Sequence, residues 1–150
     1  MKVTLSLLAL LLSCPVWAAD VKVVPKDVLA WYDDTMGMYG DVSLGLDKAK
    51  NAADATKVLK KGSTAIQTLK LAPRYQTLKG KYPQFFDSQN DTAWVPPPDW
   101  AAVSRKYSSA VTSLGQGFQK VAAWMQDSAL AAALEEFSEA AGAIGGESGS

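Results

Sequence analysis

Residues 99–125, DWAAVSRKYSSAVTSLGQGFQKVAAWM, decide the fold. Asp99 suits an N-cap position, because a short carboxylate there can accept from the unpaired amides of a first helical turn. Trp100, Val103, Tyr107, Ala110/Val111, Leu114, Phe118, Val121 and Met125 follow at steps of three and four residues, which lays them along one stripe of a helix. A single apolar stripe must be buried against other elements, and the flanking sequence supplies them. Downstream, Asp127 or Ser128 can cap another helix, with Leu130, Leu134, Phe137 and Ala141 as its inward stripe. Gly142, Gly145 and Gly146 are expected to end it, with residues 142–150 as a disordered tail.

Upstream, Pro25 suits the start of a first helix, where its missing N–H is no loss. Val28, Trp31/Tyr32, Thr35/Met36, Tyr39, Val42 and Leu46 carry its apolar face, and Gly37, Gly40 and Gly45 weaken it or mark a bend near Gly40-Asp41. A second helix is expected from Asn51 to Leu71, with Ala55, Val58/Leu59, Gly62, Ala65/Ile66 and Leu69 inward. Pro73 interrupts it, and a shorter helical stretch carries Tyr75, Leu78 and Tyr82. Residues 83–99 hold four prolines, three of them consecutive, which excludes helix and favours an extended course. Four amphipathic helices without a credible strand predict an all-α fold. The expected form is an antiparallel up-down four-helix bundle with a long proline-rich loop between helices 2 and 3.

The N-terminus reads as an export signal. Met1-Lys2 is a short positive start, Val3–Leu12 an apolar run, and Val16-Trp17-Ala18 the small-residue spacing before a cleavage point. That run is shorter than the roughly 20 apolar residues a membrane helix needs. The expected organisation is a signal peptide over 1–18 and one helical domain over 19–141, periplasmic or secreted. An alternative is a lipid anchor through Cys14, although Leu12 and Pro15 fit that pattern poorly.

Composition narrows the chemistry. The chain has one cysteine and no histidine. With Cys14 in the leader, the exported chain has no disulfide, no thiolate site, no imidazole ligand and no Ser-His-Asp triad. Charge is balanced at 15 basic and 15 acidic residues, without a cationic cluster for nucleic acid or anionic lipid.

The order of parts resembles the exported cytochrome b four-helix bundles. The likeness rests on the leader, a methionine-bearing first helix, a second helix opening Asn51-Ala52-Ala53-Asp54-Ala55, a proline-containing central connection and a long third helix. It covers roughly residues 27–140. The resemblance implies the bundle fold and haem iron held between a methionine of the first helix and a histidine of the last. Met36 or Met38 stands in the first role, and nothing stands in the second.

Other candidates are weighed on their residues. Met36, Met38 and Met125 offer thioethers for haem or Cu(I), but Met36 and Met38 are two apart and point to different helix faces. Asp33-Asp34 and Glu135-Glu136 are carboxylate pairs, yet adjacent helical positions diverge by about 100° and cannot converge on one substrate. Tyr82, Phe85, Phe86, Trp94 and Trp100 concentrate aromatic area around the proline-rich connection. They either cap one end of the bundle or form a hook for a partner, since aromatics dominate binding hot spots. The sequence therefore predicts an exported non-catalytic bundle without cofactor, monomeric or weakly dimeric. Its partner is expected to be another cell-envelope protein, docked by residues 82–100 or by an exposed helix face. A haem or metal carrier using methionine is the alternative, and an enzyme built on carboxylates in a bundle cleft a third reading.

Overall fold

A computed structural model describes residues 22–86 and 94–145, and these are all-helical, with no strand among them. Residues 1–21, where the export signal is expected, lie outside the described residues, as do 87–93 and 146–150.

There are five α-helices rather than four: α1 (Lys26–Lys48), α2 (Ala52–Thr68), α3 (Leu71–Lys81), α4 (Trp100–Val121) and α5 (Ser128–Gly145). Local chemistry explains the boundaries. Pro25 precedes α1 and its carbonyl accepts from Leu29 N–H at 2.9 Å. Asn51 caps α2, its side chain accepting from Asp54 N–H at 2.9 Å. Asp127 caps α5, accepting from the N–H groups of Ala129 and Leu130 at 3.0 Å each. Asp99 precedes α4 as expected but makes no side-chain cap, because it is itself in a helical conformation.

The break between α2 and α3 follows from Pro73. A continuous helix would need Pro73 to donate to the Leu69 carbonyl, and proline has no N–H. The chain instead turns at Lys70, with φ 51°, and Arg74 Nη1 donates to that Leu69 carbonyl at 3.2 Å. Pro73 then falls in the first turn of α3, where the missing donor is tolerated. Gly37, Gly40 and Gly45 do not interrupt α1. The last helix runs through Gly142 to Gly145 with Ile144 buried, so the boundary expected at 141 moves outward.

The antiparallel layout expected for neighbouring helices also changes. The three-residue link 49–51 makes α1 and α2 an antiparallel hairpin. Tyr32 meets Trp100 and Tyr107, Ser43 Oγ donates to the Ser113 carbonyl at 2.9 Å, and Lys120 reaches Asp47. Numbers rise together along both helices, so α1 and α4 run parallel. The connection through α3 carries the chain past α2 and sets α4 beside α1. Meanwhile α5 lies along α2, with the Phe137 ring against Gly62. A Cβ at Gly62 would stand 2.7 Å from both Phe137 and Val42, so the absent side chain is what lets α1, α2 and α5 close together.

The core runs along the centre of these helices. From α1 it takes Val28, Trp31, Tyr32, Thr35, Met38, Tyr39, Val42 and Leu46; from α2, Ala55, Leu59 and Ile66; from α5, Leu130, Ala133, Phe137 and Ile144. Met38 rather than Met36 occupies the inward position. Leu134 and Ala141 are half-buried instead of central.

Candidate functional site

The start of α1 places Trp31 and Tyr32 side by side, their rings edge to face at 4.8 Å. Both are tied across the end of the molecule. The Trp31 indole N–H donates to the Leu71 carbonyl at 2.9 Å, and the Tyr32 hydroxyl donates to the Phe85 carbonyl at 2.9 Å. A Trp or Tyr buried without such a partner would leave an unpaired polar atom.

Upon this pair sit the described ends of the proline-rich connection. A short 3₁₀ turn at Pro83–Phe85 turns Phe85 into the core, where it is buried. Phe86 stacks on Tyr32 at 5.8 Å and meets Trp31 and Tyr75 edge-on at 5.3 and 5.2 Å. Trp100 stands edge-on to Phe85 at 4.8 Å and to Tyr32 at 5.2 Å. Trp94 contacts Phe85 at 5.4 Å and Trp100 at 6.3 Å, and remains half-exposed. Aromatic pairs of this geometry contribute roughly 0.5–1.5 kcal/mol each beyond area burial.

Four of the five aromatics singled out from the sequence therefore converge in one cluster. Tyr82 stands apart, half-buried, with the Lys81 ammonium 4.8 Å from its ring centre. In the sequence the platform residues Trp31, Tyr32 and Tyr75 read only as members of helix stripes; no local signal marks them as partners of a loop fifty positions away. Beyond Trp94 the chain leaves the cluster: Val95 is 81% exposed and Pro96 is exposed, while Pro97 turns back inward and is buried.

A row of phenols continues below the cluster. Tyr39 and Tyr107 stand beside each other, their ring centres 6.2 Å apart, and each perturbs the other's phenol. Burial is the main cause that pushes Tyr32, Tyr39 and Tyr107 above the ordinary phenol range. All three stay protonated at neutral pH; Tyr32 and Tyr39 are buried in the core and Tyr107 packs half-buried against it. Among the described residues no buried side-chain polar atom lacks a partner.

The second surface feature is a groove of about 710 Å³ along the outer seam of α1 and α4. Asp33, Gly40, Leu44 and Asp47 border it from α1, and Lys106, Ser113 and Gly117 from α4. Lys120 bridges one end, donating to the Asp47 carbonyl and lying 3.0 Å from its carboxylate.

Catalytic and metal candidates are dispersed. Asp34 pairs with Arg74 at 2.7 Å while Asp33 faces the groove, and Glu135 and Glu136 are both exposed. Met38 is packed in the core, Met36 lines the groove, and Met125 is partly exposed after the 3₁₀ turn at the end of α4. The three thioethers thus lie in three different environments. Among the described residues no three His, Cys, Asp or Glu side chains gather as metal ligands, and no helix is long and apolar enough to cross a membrane.

Comparison with protein-family models, with curated proteins and with solved structures returned no match.

Proposed function

We propose that this chain is an exported, non-catalytic binding protein of the cell envelope, built on a bundle of four long helices with α3 as a brace. Its docking element is the rim of the aromatic cluster, where Trp94 and Val95 present apolar surface to a partner protein. The observation that carries this reading is the 81% exposure of Val95 beside a Trp94 seated on Phe85 and Trp100. An apolar side chain held out on a well-packed base loses little conformational entropy on binding, and such anchors contribute most where they fill a partner's pocket. The leader sequence supports an envelope location, and the dispersed carboxylates and missing histidine support binding over catalysis.

The test compares envelope proteins captured by the wild-type chain and by Val95→Asp. Val95 touches little, so the substitution leaves the fold intact by circular dichroism. The expected result is a stoichiometric envelope protein lost with Val95→Asp and with Trp94→Ala. The same protein retained by both variants, or recovery of the chain alone, overturns the assignment of the rim as the docking element.

A further inference from the structure

The groove between α1 and α4 carries a charge pattern of which the monomer uses only one half. Asp33 and Asp47 on α1 are 14 positions apart, as are Lys106 and Lys120 on α4. Fourteen helical residues rise about 21 Å. Because the helices are parallel and Lys120 sits level with Asp47, Lys106 sits level with Asp33 at the other end of the seam. Each level therefore has an acid on α1 and a base on α4. The Lys120 level closes on itself. The other does not: among the described residues neither Asp33 nor Lys106 has an ionic partner, and both are exposed.

The surface between the two levels is low and partly apolar. Leu44 is 53% exposed, and Cβ atoms built at Gly37 and Gly40 would meet nothing within 4 Å. Glycine in a helix interior destabilises it relative to alanine, and at these two positions no contact among the described residues requires it.

We propose that this seam is the interface of a homodimer, with a second copy laid face to face on α1 and α4 about a two-fold axis parallel to the helices. That operation places each α4 over the second copy's α1. Lys106 then stands over Asp33 of the second copy, and Asp33 over its Lys106, so each open charge gains one partner and the dimer two symmetric ion pairs. The alternative two-fold, perpendicular to the helices, sets α1 on α1 in reverse. It would oppose Asp33 to Asp47 and Lys106 to Lys120, like charge to like. The pattern thus selects one of the two symmetric pairings. A face of two helices about 33 Å long and 20 Å wide covers roughly 650 Å² per copy, slightly below the ~800 Å² per partner of a standard specific interface.

The experiment is sedimentation equilibrium of the purified full-length exported protein across a concentration series. Wild type is expected to shift from monomer to dimer. Lys106→Glu and Asp33→Lys each weaken dimerisation at least about tenfold, since each removes two symmetric pairs and installs repulsion. The double variant Lys106→Glu with Asp33→Lys restores it, an outcome that a merely structural role of either residue would not produce. Gly40→Trp, placed where the monomer has open space, abolishes the dimer while leaving helicity unchanged. A chain monomeric throughout the series overturns the proposal, as does a dimer indifferent to Lys106→Glu or unrescued by the charge swap. Val95→Asp leaves the dimer intact, which separates this interface from the rim of the aromatic cluster.

Discussion

Helices α1 and α4 have almost the same length, 23 and 22 residues, and both carry a clear apolar stripe, yet they are buried to very different depths. Eight residues of α1 are buried, against Leu114, Gly117 and Val121 alone on α4. Helix α1 is covered by α2 on one side and α4 on another, with α3 and the aromatic cluster across its beginning. Helix α4 leans mainly on α1 and leaves Val111 44% exposed and Tyr107 and Phe118 half-buried. Amphipathic spacing tells a helix which face turns inward. How much of that face is covered depends on how many neighbours arrive, and that is settled by where the chain between the helices puts them down.

The comparison breaks most decisively at Trp31. Trp31→Ala removes a buried indole, its hydrogen bond to the Leu71 carbonyl and edge contacts to Tyr32 and Phe86. A loss of about 3–5 kcal/mol is expected, read from urea denaturation; a loss under ~1 kcal/mol would show that α1 is not the central helix. Gly62→Ala comes next. Its Cβ would press on Phe137 and Val42 at 2.7 Å, and overpacking of this kind costs about 1–3 kcal/mol. Gly40→Ala probes the opposite face of α1 and has the opposite sign. With open space around it, the alanine is expected to stabilise the isolated monomer by up to ~1 kcal/mol; destabilisation would mean that the groove is filled from within the chain. Val111→Ala on α4 is the smallest effect, within about ±0.5 kcal/mol, and a change above ~1.5 kcal/mol would place α4 in the core after all.

Much of the secondary structure was legible because its signals are local. Pro25, Asn51 and Asp127 act on amides within four residues, and each marks a boundary where expected. Pro73 does break the second helix, but the break falls at Lys70, ahead of the expected end at Leu71, and Pro73 itself lies in the first turn of α3. The stripe of α1 was nearly complete in the sequence, with Met36 and Met38 exchanged because both lie at the edges of the apolar arc. Helix α4 misled by its clarity: its regular spacing reads as a core element, whereas spacing carries no measure of depth. The aromatic connection was only half legible. Trp94, Phe85, Phe86 and Trp100 stand out by composition, but their inward turn depends on Trp31 and Tyr32, whose hydroxyl and indole bind carbonyls 53 and 40 positions away.

By itself, the sequence determined that this protein is helical, that its helices start and stop near particular caps and prolines, and that imidazole chemistry has no residue to carry it. These follow from residue type and from interactions no longer than one helical turn. Only the tertiary structure decided that α3 stands as a separate helix, that α4 runs parallel to α1, and that the loop aromatics close one end of the core. It also decided that an acid and a base on different helices face outward at the same level. Each of these depends on which surfaces meet after the chain has crossed several tens of residues, and helical periodicity fixes the direction of a side chain without fixing what it will find there.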